Sequence, residues 1–154
     1  MNFRNYTEAD AERLAGVFTS SVHSLATAEY DARQRDAWAP IPPDLDAWRH
    51  RLGQLHTIIA EENGQCLGFL SYEPDGHIEL LYTAPDAARK GVASALLEEA
   101  ARQLSEGFGV TDLYTEASLV AAPFFLRHGF DTIEEQTVSR NGVNFRRFAM
   151  QRTL

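Results

Sequence analysis

Apolar residues change their spacing along this chain, and the changes divide it into elements. Leu14, Val17, Phe18, Ser21, Val22 and Leu25 recur at three- and four-residue intervals, which lines one face of a helix. Just ahead of them, Thr7-Glu8-Ala9-Asp10 places a hydroxyl three residues before a carboxylate, the signature of a helix start. Asn2 to Tyr6 reads as a strand leading into it. A short helical piece from Asp31 to Trp38 stops at the Pro-rich APIPPD, and Asp44 then caps a helix striped by Leu45, Trp48, Leu52 and Leu55, a stripe that reads as core. From His56 the pattern becomes that of strands: His56 to Glu62 and Gln65 to Glu73 are joined by Asn63-Gly64, the favoured pair for a tight hairpin turn.

Pro74-Asp75-Gly76 turns the chain again into His77 to Thr83, which is apolar on both faces and so predicts a central strand covered on both sides. Pro85 ends that strand. Gly91 to Glu106 predicts a helix with Val92, Leu96, Leu97, Ala100 and Leu104 inward, and Gly107 is placed to cap it. Thr111 to Glu116 follows as a strand and Val120 to His128 as a short helix. Phe130 to Arg140 and Val143 to Arg152 close the chain as a hairpin turning at Asn141-Gly142. The order predicts an α/β (α+β) fold with a mixed, mostly antiparallel central sheet flanked by helices.

A length of 154 residues accommodates one core and not two ordinary ones, so a single domain over 1–154 is expected. Net charge is -8, which argues against a nucleic-acid partner, because phosphate binding needs clustered Lys and Arg. No run approaches the ~18 apolar residues of a membrane span, and the N-terminus lacks a secretory pattern. Cys66 is the only cysteine, so neither an intrachain disulfide nor a multi-cysteine metal site can form, and no metal-ligand spacing is present. A cytoplasmic protein without a metal is the expectation.

The most informative stretch lies between the central strand and its helix: Thr83-Ala84-Pro85-Asp86-Ala87-Ala88-Arg89-Lys90-Gly91-Val92-Ala93-Ser94. A helix N-terminus presents unpaired N–H groups and the positive end of its dipole, which together favour an anion such as a pyrophosphate. Gly91 and Ala93 keep side chains out of the way, while Arg89 and Lys90, the chain's only lysine, add charge at the rim.

Ala88-Arg89-Lys90-Gly91-Val92-Ala93, followed by Ser94-Ala95-Leu96-Leu97, resembles the pyrophosphate loop of GNAT acetyltransferases. Leu81-Tyr82-Thr83-Ala84-Pro85 upstream and Ala121-Ala122-Pro123-Phe124-Phe125-Leu126-Arg127-His128-Gly129-Phe130 downstream fall where that family has matching segments. Tyr30 to Pro40, GHIELLY, EASLVAAPFF and the closing hairpin look like the YafP-like bacterial subgroup. The resemblance implies acetyl-CoA as co-substrate and an amine or peptide acceptor. It implies a cofactor site of Leu81, Tyr82 and Thr83, pairing with the pantetheine arm, with Arg89, Lys90, Gly91, Val92, Ala93 and Ser94, and with Ser118 where the family often has asparagine. Two positions depart from the pattern. Ala88 stands where Gln or Arg is usual, and Phe125 stands where a tyrosine often protonates the leaving thiolate.

Transfer to nitrogen requires a neutral amine, and an alkylamine of pKa about 10.4 is only about one part in a thousand neutral at pH 7.4. A base is therefore wanted. The two-residue period puts His77, Glu79, Leu81 and Thr83 on one face of the central strand, and Glu79 is the candidate base, with His77 as its competitor. His23, Tyr30 and Trp38 are the candidate acceptor-binding residues, since aromatics suit a small organic molecule. The alternative to an enzyme is a non-catalytic acyl-CoA-binding or regulatory module, favoured by Ala88 and Phe125 and opposed by Glu79. The last hairpin could also join two copies in a homodimer.

Overall fold

The computed structural model describes all residues from 1 to 154. β1 (Asn2–Asn5) leads through a 3-10 turn, Glu8–Asp10, into α1 (Ala11–Leu25). There Asp10 Oδ2 accepts from the Thr7 N–H at 2.8 Å, and the Arg4 guanidinium grips the same carboxylate at 2.9 and 2.7 Å. That pairing holds Asp10 well below the usual carboxylate range. α2 (Ala32–Trp38) opens on Asp31, whose side chain accepts from the Gln34 N–H while Gln34 reaches back to the Asp31 N–H. α3 (Leu45–Gly53) opens on Asp44, which accepts from the Ala47 N–H at 3.1 Å.

Then come β2 (His56–Glu62), β3 (Gln65–Tyr72) and β4 (Ile78–Thr83), α4 (Val92–Phe108), β5 (Asp112–Ser118), α5 (Ala122–Arg127), β6 (Asp131–Arg140) and β7 (Val143–Thr153). Both Asn-Gly turns have two consecutive positive φ angles, 52° and 76° at Asn63-Gly64 and 50° and 76° at Asn141-Gly142, as a two-residue hairpin of matching twist requires. α4 runs past Gly107, the expected cap, and ends instead at Gly109 with φ of 66°. The added residue Phe108 packs edge-on to Tyr72 and His56, a tertiary contact that carries the helix through the glycine. No helix is long and apolar enough to cross a membrane.

The strands form two antiparallel sheets, β1-β2-β3-β4 and β5-β7-β6. They meet at one parallel bridge between His77 and Tyr114. The Tyr114 N–H donates to Gly76 O at 3.1 Å and Thr115 Oγ1 to Ile78 O at 2.8 Å. Past these bonds β4 and β5 diverge, so β4 has a strand partner only on its β3 side. The expected mixed sheet is thus two sheets hinged at one end, with a V-shaped opening between them.

β4 also departs from a strict two-residue period. Tyr72 pairs with Ile78 but Ser71 pairs with Leu80, which leaves Glu79 as an extra residue in a β-bulge. Below the bulge the faces are exchanged: Leu81 packs with Ile78 and Leu70 under α4, whereas Leu80 and Tyr82 pack toward α1 and α3. The expectation that Glu79 and Leu81 share a face is therefore corrected. Two cores result. Leu96, Leu97 and Leu104 of α4 pack with Ile58, Leu70, Leu113, Phe130 and Met150 on one side, and Leu14, Phe18, Trp48 and Leu52 pack with Ile59, Phe69 and Leu80 on the other. Leu97 is fully buried, and its truncation to Ala would remove about 2–5 kcal/mol.

Candidate active site

The opening between β4 and β5 holds a cavity of about 140 Å³. Its walls are Ile78–Tyr82 of β4, Thr115–Ser118 of β5, Phe125 of α5, Tyr30 and Trp38 from the α2 region, and the β6-β7 hairpin. Leu81 and Tyr82 lie on the wall, on the β4 edge that has no strand partner; Thr83 continues that edge toward α4.

At the start of α4 the backbone offers a run of free donors. The first helical bond is from the Ala95 N–H to Gly91 O, and none of the six N–H groups from Arg89 to Ser94 donates to a backbone or side-chain acceptor. Arg89 and Gly91 have φ of 61° and 83°, a geometry that turns successive N–H groups toward one concavity suited to an anion. A Cβ on Gly91 would meet nothing within 4 Å, so glycine is needed there for its left-handed backbone and not for space. Arg89 and Lys90 are exposed at the rim without a carboxylate partner. The Ser94 hydroxyl is engaged elsewhere: it donates to His128 Nε2 at 2.8 Å, because His128 Nδ1 donates to Phe124 O. Only the Ser94 N–H is left for an anion. Ser118 lies on the β5 wall, where its hydroxyl accepts from the Ala121 N–H at 3.2 Å.

Of the three acceptor candidates, two reach the cleft. Tyr30 is buried, its hydroxyl accepts from the Leu119 N–H at 2.9 Å, and burial pushes its phenol up. Trp38 stands edge-on to Tyr30, Tyr82 and Phe145 at 5.3, 6.4 and 6.3 Å. His23 is not on the wall; its Nε2 lies 2.8 Å from Ala39 O and ties α1 to the end of α2. Phe125 is a buried wall residue packed on Phe130 and Phe124 at 4.9 and 5.3 Å.

The bulge aims Glu79 into a cluster of charges. Its Oε1 is 2.5 Å from Arg51 Nη2, and its Oε2 is 3.3 Å from His77 Nδ1. His77 is itself buried, with Glu73 2.5 Å from Nδ1 and Glu116 2.9 Å from Nε2. Burial pushes the imidazole pKa down, but the Glu73, Glu116 and Glu79 carboxylates outweigh it and raise it overall. With a carboxylate against each nitrogen, the ring donates from both. Ligand atoms of Glu73, His77 and Glu79 lie within 4.8 Å of one another, a grouping that the reading of the sequence for metal ligands did not contain. Sequence reasoning also missed Glu116, Arg51, Arg140, Arg147 and Phe145. Only Glu116 carried a signal: it alternates with Leu113, Thr115 and Ala117, which puts a carboxylate on the strand face away from their core.

The acetyltransferase (GNAT) domain family matches residues 26–152. The chain is 35% identical over 151 residues to the uncharacterized N-acetyltransferase YafP of Escherichia coli (strain K12), covering 98% of this chain and 95% of that protein. Among solved structures, a GCN5-related N-acetyltransferase from Rhodopseudomonas palustris, described also as a class-II aminotransferase, superposes with a TM-score of 0.93 at 33% identity, covering 99% and 95% of the two chains. The PaiA N-acetyltransferase of Thermoplasma acidophilum, in complex with coenzyme A, has the same fold, with a TM-score of 0.80 at 16% identity over 99% and 98% of the chains.

Proposed function

We propose that this chain, which belongs to the GNAT acetyltransferase family and is an N-acetyltransferase, passes the acetyl group of acetyl-CoA directly to an amine in the cleft between β4 and β5. The family uses acetyl-CoA, and the observation that carries the reading here is the run of unbonded N–H groups from Arg89 to Ser94, in the loop that leads from the end of β4 into α4. The pyrophosphate would take those donors and the dipole of α4, with Arg89 and Lys90 at the rim. The pantetheine arm would then run along the unpartnered β4 edge at Leu81 to Thr83, past Ser118 on the facing strand. Backbone donors do this work, so Ala88 in place of a longer side chain is no obstacle.

In the transfer itself the amine lone pair attacks the thioester carbonyl carbon, the C–S bond breaks, and the amine's proton must leave. Glu79 is the residue for that proton. It projects from the bulge into the cleft wall and is 28% exposed, so an amine bound in the cleft would give up its proton to it directly or through one water. His77 is a poorer base, because both of its nitrogens already donate to carboxylates. It serves instead as the charge that holds Glu73, Glu79 and Glu116 together. The departing sulfur becomes a thiolate of pKa about 8.5, a leaving group that takes its proton from solvent without help. Phe125 packs beside it and transfers nothing. Tyr30 and Trp38 wall the acceptor side, and the chain works as one domain.

The test is thiol release from acetyl-CoA over a panel of amines, with the acetylated product identified by mass. The reading expects amine-dependent release with one acetylated product per thiol. Stabilisation by acetyl-CoA with no release over any amine would instead make the chain an acyl-CoA-binding module. Two copies could pair through the β6-β7 hairpin, and sedimentation would show it.

A further inference from the structure

The second sheet brings positive charge into the cleft from a part of the chain where nothing local announces it. Residues directly opposite in an antiparallel pair share a face. Arg147 lies opposite Ser118 on one side and Gln136 on the other, Phe145 lies opposite Val138, and Val143 opposite Arg140. Arg140, Val138, Phe145, Arg147 and Ser118 therefore face one way. Ala117 and Phe148, one step out of phase, face the other way into the core beneath α4. The two arginines thus stand on the opposite side of the second sheet from the helix that opens with the phosphate loop.

Neither arginine has a carboxylate within salt-bridge distance, unlike Arg51 and Arg146 on the same cleft, which pair with Glu79 and Glu135. Arg147 donates through Nε to Gln136 Oε1 at 2.8 Å, which fixes the guanidinium and leaves both terminal amino groups free. The Arg140 side chain makes no hydrogen bond with the rest of the chain, and its backbone is held in place by the hairpin, where Arg140 pairs with Val143 and Asn141 Nδ2 donates to Ala37 O at 2.8 Å. Its charge is felt inside the cleft. The phenols of Tyr30 and Tyr82, raised by burial, are both drawn back by Arg140. A chain of net charge -8 has ample carboxylates with which to neutralise these two cations, and does not use them.

We propose that the acceptor is a small amine that also carries an oxyanion group, a carboxylate or a phosphonate, bound by Arg140 and Arg147 while its amine points at Glu79. The inference rests on the transfer reading above and names the substrate class of the same site. Two guanidinium groups lining the cleft, Arg147 half-buried and Arg140 exposed at its rim, suit a planar or tetrahedral oxyanion, which takes two or more charge-assisted hydrogen bonds. Glu79, across the cleft and paired with Arg51, suits the ammonium end. The acceptor is then zwitterionic in solution and is read at both ends.

Matched amines test it: glycine against glycinamide and β-alanine against β-alaninamide, with 2-aminoethylphosphonate as the phosphonate arm, and kcat/KM expressed on total amine, so that the more basic amines of the acids weigh against them. The acids should exceed their amides by about 10- to 100-fold, the worth of one charged hydrogen-bonded contact. Arg140→Gln or Arg147→Gln should bring the ratio toward one while the KM for acetyl-CoA stays put. A wild-type ratio at or below one overturns the inference. So does an arginine variant that raises the KM for acetyl-CoA and keeps the ratio, since the arginines would then serve the cofactor. If no acid or amide is acetylated, transfer to these amines has failed, and N-acetylglycine and N-acetylglycinamide are compared as probes of the CoA-loaded protein. Extra stabilisation by the acid, lost in Arg140→Gln, still supports the oxyanion site, and equal shifts overturn it.

Discussion

Glu79→Gln separates the catalytic use of this carboxylate from its structural one, because the two differ greatly in size. The Glu79 side chain is 28% exposed and its partner Arg51 43% exposed, and a pair so open to water contributes about 0–1 kcal/mol. Glutamine keeps the shape of the side chain, and its one carbonyl oxygen can still accept from Arg51, while His77 Nδ1 keeps Glu73 as its acceptor. The variant should therefore lose no more than about 1 kcal/mol, or about 2–4 °C in Tm for a chain of this size. Loss of a general base is worth about 10²–10⁴ in turnover, equal to about 2.7–5.5 kcal/mol of barrier. The assay is thiol release with a good acceptor from pH 6 to 9, beside the thermal shift with acetyl-CoA. Affinity for acetyl-CoA should be unchanged, kcat should fall, and activity should partly recover at high pH, where more of the amine is already neutral. If kcat/KM stays at the wild-type level across that range, Glu79 is a structural carboxylate. If Tm falls by ten degrees or more, the Arg51–Glu79–His77 cluster holds the fold and the loss of turnover says nothing of proton transfer.

Gly91→Glu should abolish the thermal stabilisation by acetyl-CoA, about 2.7 kcal/mol at a hundred times Kd, with an intact far-UV spectrum; a residue there must adopt φ of 83° and brings a negative charge, and an unchanged shift would remove the loop from the cofactor site. Phe125→Tyr should change turnover only modestly, and a gain of about a hundredfold, equal to about 2.7 kcal/mol, would mark the natural protein as lacking an acid it needs. The raised pKa of His77 gives a stability that is complete below the unfolded value of about 6.5 and is lost as pH climbs through the folded one. His77→Gln should therefore flatten the fall of Tm above pH 6.5, and a wild-type Tm that does not fall there, or a fall that the variant keeps, would refute the charged imidazole.

What the sequence determined by itself is what short stretches of backbone decide. Asn63-Gly64 and Asn141-Gly142 adopt the turns their residues favour, and Asp31 and Asp44 cap helices by bonds to residues three positions on. The run of free N–H groups from Arg89 to Ser94 is likewise local, so it was legible in the order of residues at the start of α4. Gly107 failed as a cap because Phe108 found Tyr72 and His56, distant in sequence. The bulge at Glu79 depends on the register with Ser71 and Tyr72, which no period within β4 contains, and that one extra residue sends Glu79 to Arg51 and Leu81 to the core under α4. His23 was placed on the acceptor side by its company in the sequence, yet the packing of α1 on α2 turned it to Ala39. Arg140 and Arg147 lie in two strands that read as an ordinary exposed hairpin. Only the hinge between the sheets, made at His77 and Tyr114, turns one face of that hairpin into a cleft wall, because the contact that sets β5 against β4 joins residues far apart in the sequence.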